Sequence, residues 1–173
     1  VSVNELHETL KADESKGFGL HLVGGAEFAG ELDAKRAIKL ASELAAEFGS
    51  RVTLDRACDK PNGVICTSWS WWMTHQPSLP EPDQLITALL PIASLEDPLT
   101  AARVKVLKKQ GRDWFRDLLL PGALAILIPA IAPLRRNGGR LALLDGRVRS
   151  RSWGEQVFRA LEPWSSLQRL LPD

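Results

Sequence analysis

The sequence predicts an α+β fold, with a mixed sheet that contains two hairpins and packs against several helices. Apolar residues recur at the spacing of one helical face over residues 32–48. Elsewhere, a run rich in β-branched and aromatic residues, VICTSWSWW, follows dense turn formers at 59–63, and Asp145-Gly146 is a dipeptide favoured in two-residue hairpin turns. The 173 residues are 45% hydrophobic and 25% charged, which is typical of a protein with a packed core. We therefore expect one globular domain over 1–173.

The expected elements follow from hydrophobic periodicity and from the positions of turn-forming and helix-capping residues. Residues 1–16 are a polar lead, and the first two strands flank the helix of 32–48. The dense turn formers favour an antiparallel hairpin over about 51–72, followed by a proline-rich loop. Asp97 and Pro98 are residues preferred at a helix start. The expected elements are strands over 18–24, 51–57 and 64–72, and helices over 32–48, 82–93 and 98–119.

The last third contains a long apolar segment and a second expected hairpin. Residues 118–134, LLLPGALAILIPAIAPL, include three prolines and are slightly short for a bilayer span. We expect a core segment, a short strand followed by a helix, and no transmembrane segment. Asp145-Gly146 favours a two-residue turn in a hairpin over about 140–151. A final helix is expected over 154–171.

The distribution of charge and the small number of cysteines limit the possible classes of function. The net charge is +1, but acidic side chains exceed basic ones by five in 1–90, whereas basic ones exceed acidic ones by six in 91–173. This asymmetry favours either a surface that attracts anions or ion pairing across the fold. Cys58 and Cys66 provide no disulfide framework, so we expect reduced thiols and a cytoplasmic protein.

A glycine-bearing turn between the first strand and the first helix is a candidate nucleotide site. Backbone N–H groups at such a turn can hold phosphate. The candidate residues are Gly24, Gly25, Gly30 and Asp55, the last in the place of a ribose-binding acid. The motif is incomplete: Ala26 puts a methyl group where a pyrophosphate must approach, and Glu31 stands where a phosphate-binding lysine is required.

Tryptophans form the second candidate site. There are six tryptophans and no tyrosine, and half of the tryptophans lie in one short segment, as Trp69, Trp71 and Trp72. In a strand, Trp69 and Trp71 lie on one face and Trp72 on the other. One reading is core packing, and the other is a platform for a partner side chain or a base, with His75 beside it. An exposed patch of this kind also makes self-association an expectation to test.

Arginines form the third candidate site. In the expected hairpin, Arg140, Arg147, Arg149 and Arg151 share one face, and Arg135 and Arg136 precede it. Guanidinium groups bind phosphate or carboxylate through two parallel hydrogen bonds. Such a face fits nucleic acid, an acidic protein surface, or a solvated edge strand guarded by charge.

No complete catalytic, metal-binding or cofactor-binding set is found in the sequence. A Cys66–His75 pair is the one thiol–imidazole combination close in sequence, and we favour a core role for Cys66. We therefore predict a non-enzymatic protein-binding or adaptor domain, with a protein partner. The alternatives are a nucleic-acid-binding protein that uses Arg135 to Arg151, and a nucleotide-binding enzyme built on Gly24 to Gly30.

Overall fold

A five-stranded sheet lies at the centre of the computed structural model, which describes residues 19–22, 39, 41–46, 49–58 and 63–164. Every pairing between the described strands is parallel. The strand order is β2-β3-β1-β4-β5. The strands are β1 (Gly19–Leu22), β2 (Val52–Leu54), β3 (Val64–Thr67), β4 (Gln84–Thr87) and β5 (Arg140–Leu143).

Helices connect and cover these strands. A 3-10 turn precedes β2, another follows α2, and a π-helical turn, Phe115–Leu119, leads into α4. The helices are α1 (residues 41–46), α2 (Trp69–His75), α3 (Pro98–Lys109), α4 (Leu120–Ala130), α5 (Ala132–Asn137), α6 (Arg147–Ser150) and α7 (Gly154–Leu161).

Both faces of the sheet are covered, because successive residues of a strand point to opposite faces. Ile65 of β3 and Leu85 of β4 belong to the larger core cluster, with residues of α2, α4, α5, α6 and α7. Cys66 and Ile86 belong to a second cluster with Leu44 of α1. All residues of β3 and β4 are buried, as expected for strands covered on both faces.

The described structure confirms a fold of helices and strands, and it corrects both hairpins. Residues 51–72 were predicted to contain an antiparallel pair, but β2 and β3 are parallel, with Leu54 opposite Cys66. Residues 140–151 also do not form a hairpin, because Arg147–Ser150 is helical. Local sequence does not show whether the segment after a turn pairs with the strand before it or packs as a helix.

Two further expectations were wrong. Trp69 to Trp72 were placed in a strand but begin α2, where the Ser68 hydroxyl caps the helix by accepting from the Trp71 backbone N–H at 3.2 Å. Residues 82–93 were predicted to be helical, but they contain the buried strand β4. A short apolar run fits either element, and pairing with β1 and β5 decides for a strand.

Other expectations are confirmed. The strands over 18–24 and 51–57 contain β1 and β2, and α3 begins after Asp97, whose carboxylate accepts from the Thr100 N–H at 2.7 Å. The apolar segment 118–134 is helical, without the expected strand. No helix among the described residues is long and apolar enough to cross a bilayer.

Candidate functional site

The tryptophans in the predicted platform are mostly core residues. Trp69 and Trp72 are completely buried. The Trp69 Nε1–H donates to the Leu89 carbonyl at 3.2 Å, and the Trp72 Nε1–H donates to the Ala130 carbonyl at 3.0 Å. Both indoles therefore have a hydrogen-bond partner inside the protein, and they join α2 to the β4 loop and to α4.

The remaining members of the platform are close to solvent. Trp71 is half-buried and His75 is exposed, and their rings stack with centroids 4.2 Å apart. The His75 Nδ1 lies 2.8 Å from the Trp71 carbonyl oxygen, which fixes the imidazole along α2. Partner binding at Trp71 and His75 therefore stays a prediction. The surface that would bind consists of these two stacked rings.

The glycine-turn candidate is only partly within the described structure. Gly24, Gly25 and Gly30 lie outside the described residues. Asp55 is described, and its left-handed φ of 47° is a conformation that aspartate tolerates. Its carboxylate accepts from the Thr67 hydroxyl at 2.6 Å. A nucleotide role for these residues stays a prediction.

Cys66 lies in the core, as the sequence favoured, and it does not pair with His75, because the two side chains belong to opposite sides of the sheet. Cys66 is completely buried in the cluster beneath α1, whereas His75 stacks on Trp71, which packs against the other cluster. Burial, together with the nearby Asp55 charge, raises the pKa of the Cys66 thiol to about 12. Among the described residues, no group of histidine, cysteine and carboxylate side chains has metal-binding geometry.

The arginines of the expected hairpin are divided between two ends of the sheet. Arg135, Arg136 and Arg140 lie where β5 begins, and Arg147, Arg149 and Arg151 lie beyond its carboxyl end. Strand β5 is four residues long, which separates the groups by about 13 Å along the strand axis. They therefore do not form one continuous basic face.

The arginines at the amino end have structural partners. Arg135 donates to the Leu161 carbonyl at 2.9 Å, and its guanidinium lies 5.3 Å from the Trp164 ring centroid. Arg136 forms an ion pair with Glu81 at 2.7 Å. These contacts hold α5 against the end of α7 and against the loop before β4.

Arg147 also has a structural partner, Asp145. Its guanidinium donates two hydrogen bonds to Asp145, at 2.9 and 2.7 Å. Asp145 is 3% exposed and also accepts from the Leu90 N–H at 3.0 Å. Burial by itself would raise the pKa of Asp145, but these hydrogen bonds and the Arg147 charge hold it below its ordinary value. The carboxylate thus joins the segments after β4 and β5.

Arg149 and Arg151 remain available to a ligand. Both are exposed, and neither forms an ion pair with another described residue. Ser152, the next residue along the chain, accepts a hydrogen bond from Arg116 at 2.7 Å. The fold therefore brings Arg116, which is distant in sequence, next to the end of α6.

We define the arginine patch as Arg112, Arg116, Arg149 and Arg151, because the Arg116–Ser152 contact brings the segment of the first two to the end of α6. Asp117 lies 2.9 Å from Arg112, and Asp113 lies 2.7 Å from Arg116, which leaves the patch with net positive charge. Sequence reasoning missed Arg112 and Arg116. The run GRDWFRD, in which basic and aromatic residues interleave, is the signal that could have identified them.

Trp114 borders the arginine patch. The Lys108 ammonium lies 5.0 Å from the centroid of its ring, and Phe115 packs against it edge to face. Phe115 in turn lies 5.1 Å from the Trp153 ring, between centroids. This row of rings anchors the π-helical turn to the segment after α6 and so keeps the two halves of the patch together.

With the fold and the patch described, the chain can be compared with known proteins. No protein-family model matches the sequence. The chain is 26% identical over 129 residues to the ATP-dependent DNA helicase YoaA of Haemophilus influenzae, covering 73% of this chain and 20% of that protein. It is 30% identical over 94 residues to the 3'-5' exonuclease DinG of Bacillus subtilis, covering 51% of this chain and 10% of that protein.

Both similarities are to enzymes whose names describe work on nucleic acid. The chain spans a fifth or less of the length of either relative. The similarity therefore covers only a part of each enzyme.

Proposed function

We propose that this chain is a DNA-binding domain that contacts the phosphate backbone through the arginine patch. The observation that carries the proposal is the juxtaposition of exposed Arg149 and Arg151 with Arg116 across the Ser152 contact. The similarity to a DNA helicase supports DNA as the ligand. The leading sequence interpretation, a protein adaptor, has no comparable support at the tryptophan segment, where two of three indoles are buried.

The chemistry of the patch fits phosphate. A guanidinium has five N–H donors in a planar fork that matches two oxygens of one phosphate. The ion pairs to Asp113 and Asp117 fix the positions of Arg116 and Arg112, and they leave other N–H groups of each fork for a ligand. Contacts of this kind position a protein on DNA without reading base sequence.

The direct test is DNA binding as a function of salt. A short labelled oligonucleotide, single- or double-stranded, is titrated with the protein by fluorescence anisotropy at several salt concentrations. Each phosphate contact contributes about 0.9 to the slope of log K against log salt with duplex DNA. The variant Arg149→Gln/Arg151→Gln should lower that slope by about 1.8, which corresponds to roughly 60-fold weaker binding at 0.1 M salt.

A matched control removes the same charge elsewhere. Arg56 is exposed after β2, at the opposite edge of the sheet, and Arg136 pairs with Glu81 at the amino end of the strands. The variant Arg56→Gln/Arg136→Gln should leave the slope nearly unchanged. Equal losses in the two variants would show a general charge effect and would remove the patch as the binding surface. Absence of DNA binding by the unmodified chain at low salt would reject the proposal.

A nucleotide site is a second candidate, favoured by the position of β1. The chain adds β2 and β3 on one side of β1 and β4 on the other, so β1 lies where the strand order changes direction. Ligands of open parallel sheets bind outside the carboxyl ends of strands at such a point. Leu22, the last residue of β1, is in register with Thr67 and Thr87. A rise in melting temperature with millimolar ATP, abolished by Gly24→Val, is the expected result.

A further inference from the structure

Helix α3 differs from α4 because two of its large apolar residues, Leu99 and Val106, face solvent. Of its twelve residues, Thr100 and Val104 are buried, whereas Leu99 is 58% and Val106 is 53% exposed. Leu95, in the turn before the helix, is 48% exposed. Among the described residues, three of the five exposed large hydrophobic side chains thus lie on or beside this one helix. Clustering of this kind marks an interaction surface more often than isolated exposure does.

A groove runs beside α3, with an apolar floor and a basic rim. Its volume is about 460 Å³, and its lining combines small and branched apolar side chains with lysines. We call it the α3 groove. Its lining residues are Leu95, Ala101, Val104, Lys105, Lys108 and Lys109.

The charge on α3 has one sign. The helix carries Arg103 and three lysines and has no acidic residue, and Asp97 is its cap. Lys105 and Lys109 are exposed and form no ion pair with another described residue. A ligand that covers the groove would therefore need negative charge at its edges.

We propose that the α3 groove is a docking site for an acidic amphipathic helix of a partner protein. Leucine-like side chains of such a helix would cover Leu95 and Val104, and its carboxylates would meet Lys105 and Lys109. An amphipathic helix in an apolar groove is a recurrent mode of peptide recognition, with anchors at spacings of three and four residues. The charge complementarity selects an acidic partner over a basic one.

A nucleic acid fits this groove less well than a peptide does. Phosphates would neutralise the lysines, but they would leave Leu95 in water. An apolar side chain of a partner helix would cover Leu95, which adds hydrophobic stabilisation to the charge pairing. The arginine patch has the opposite composition, charged and hydrogen-bonding, so the two surfaces are suited to different partners. The protein could then hold a partner protein and DNA together.

The experiment uses a defined probe. A labelled eighteen-residue peptide with leucines at helical i, i+3/i+4 and i+7 spacing and glutamates flanking them is titrated with the full chain. A second peptide with lysine in place of every glutamate is the matched probe. The acidic peptide should bind, and the basic peptide should bind at least about ten-fold more weakly. Absence of binding at about 0.1 mM acidic peptide would overturn the proposal.

Two pairs of variants locate the site. Leu95→Asp and the charge reversal Lys105→Glu/Lys109→Glu should each weaken binding of the acidic peptide about ten-fold or more. Phe158, 48% exposed on α7, supplies the apolar control as Phe158→Asp, and Arg56→Glu/Arg136→Glu supplies the charge control. Both controls should bind the peptide as the unmodified chain does, and circular dichroism should show that all four variants are folded.

The remaining outcomes each reject the proposal. Equal effects of Leu95→Asp and Phe158→Asp would show that the peptide adheres to any exposed apolar side chain. Loss of DNA binding in Lys105→Glu/Lys109→Glu, with peptide binding retained, would assign the groove to the nucleic-acid surface. Concentration-dependent dimerisation that Leu95→Asp abolishes would make a second copy of this chain the occupant.

Discussion

Helices α3 and α4 are of similar length and use apolar side chains in opposite ways. In α4, Leu120, Ala123, Leu127 and Ala130 are buried, and the Ala130 carbonyl receives the Trp72 indole N–H. In α3, buried positions are few, and Leu99 and Val106 project into solvent. Both helices are rich in apolar residues, but α4 belongs to the main core cluster with Ile65 and Leu85 of the sheet, whereas no residue of α3 belongs to it.

The difference shows that apolar content does not by itself identify the residues that hold the fold together. Helix α4 contacts α2 and α7, which places its leucines in the main cluster. Of the residues of helix α3, only Thr100 and Val104 are buried. Substitutions in α4 should therefore change stability, whereas substitutions of exposed α3 residues should change binding.

Truncation of a core leucine should show the largest effect. Leu127→Ala removes a completely buried side chain from α4 and should lower the free energy of unfolding by about 2–5 kcal/mol. Val106→Ala, the matched truncation on α3, should change it by less than about 0.5 kcal/mol. Urea denaturation followed by circular dichroism measures both. Similar losses for the two variants would show that α3 is as tightly packed as α4.

Substitution of Gly154, at the start of α7, tests how closely α6 and α7 pack against each other. A Cβ at Gly154 would lie 1.7 Å from the Val148 carbonyl oxygen, so α7 would have to move away from α6. Gly154→Ala should therefore destabilise the protein by about 3 kcal/mol. Gly122→Ala in α4 is the control, because a Cβ there meets nothing within 4 Å. That variant should stabilise the helix by up to about 1 kcal/mol. A neutral Gly154→Ala would contradict the close α6–α7 contact.

The Asp145 carboxylate should give a smaller, pH-dependent effect. Asp145→Asn should cost about 1–2 kcal/mol at neutral pH, because charge-assisted bonds are lost and half-exposed Arg147 is partly screened by water. The folded pKa lies below the ordinary value of 3.8. The carboxylate therefore contributes stability above pH 3.8, and that contribution decreases as the pH falls through the folded pKa. Unfolding measured between neutral and acidic pH should show the two proteins converging in acid. If the difference in stability between the two proteins did not change with pH, the ionised Asp145–Arg147 pair would not be its cause.

The sequence anticipated individual elements better than their pairing. The cap at Asp97 and the helical periodicity before β2, within its described residues, were read correctly, because each depends on contacts within a few residues. The apolar segment 118–134 is a core segment as expected, but it lacks the expected strand. The hairpins were wrong because turn formers specify neither the direction in which two strands pair, as for β2 and β3, nor whether the next segment is a helix, as at Arg147–Ser150. The Ser68 cap was a local signal for α2 that the tryptophan-rich composition obscured.

The candidate sites were anticipated unevenly. Exposed arginines at 149 and 151 were identified from sequence, but the expected single face was not formed, since helix α6 interrupts it. Arg116 joins them through a hydrogen bond to Ser152, a contact between segments 36 residues apart. The α3 groove was not anticipated, because the exposure of an apolar residue depends on what packs against its helix.

The sequence by itself determined the helix-and-strand composition, several element boundaries and the excess of basic side chains in the second half, because these follow from local periodicity, capping and residue counts. The tertiary structure decided that the sheet is parallel, that Trp69 and Trp72 are interior, and which arginines remain free of ion pairs within the described residues. These properties depend on contacts between segments distant in sequence, and local propensity does not specify such contacts.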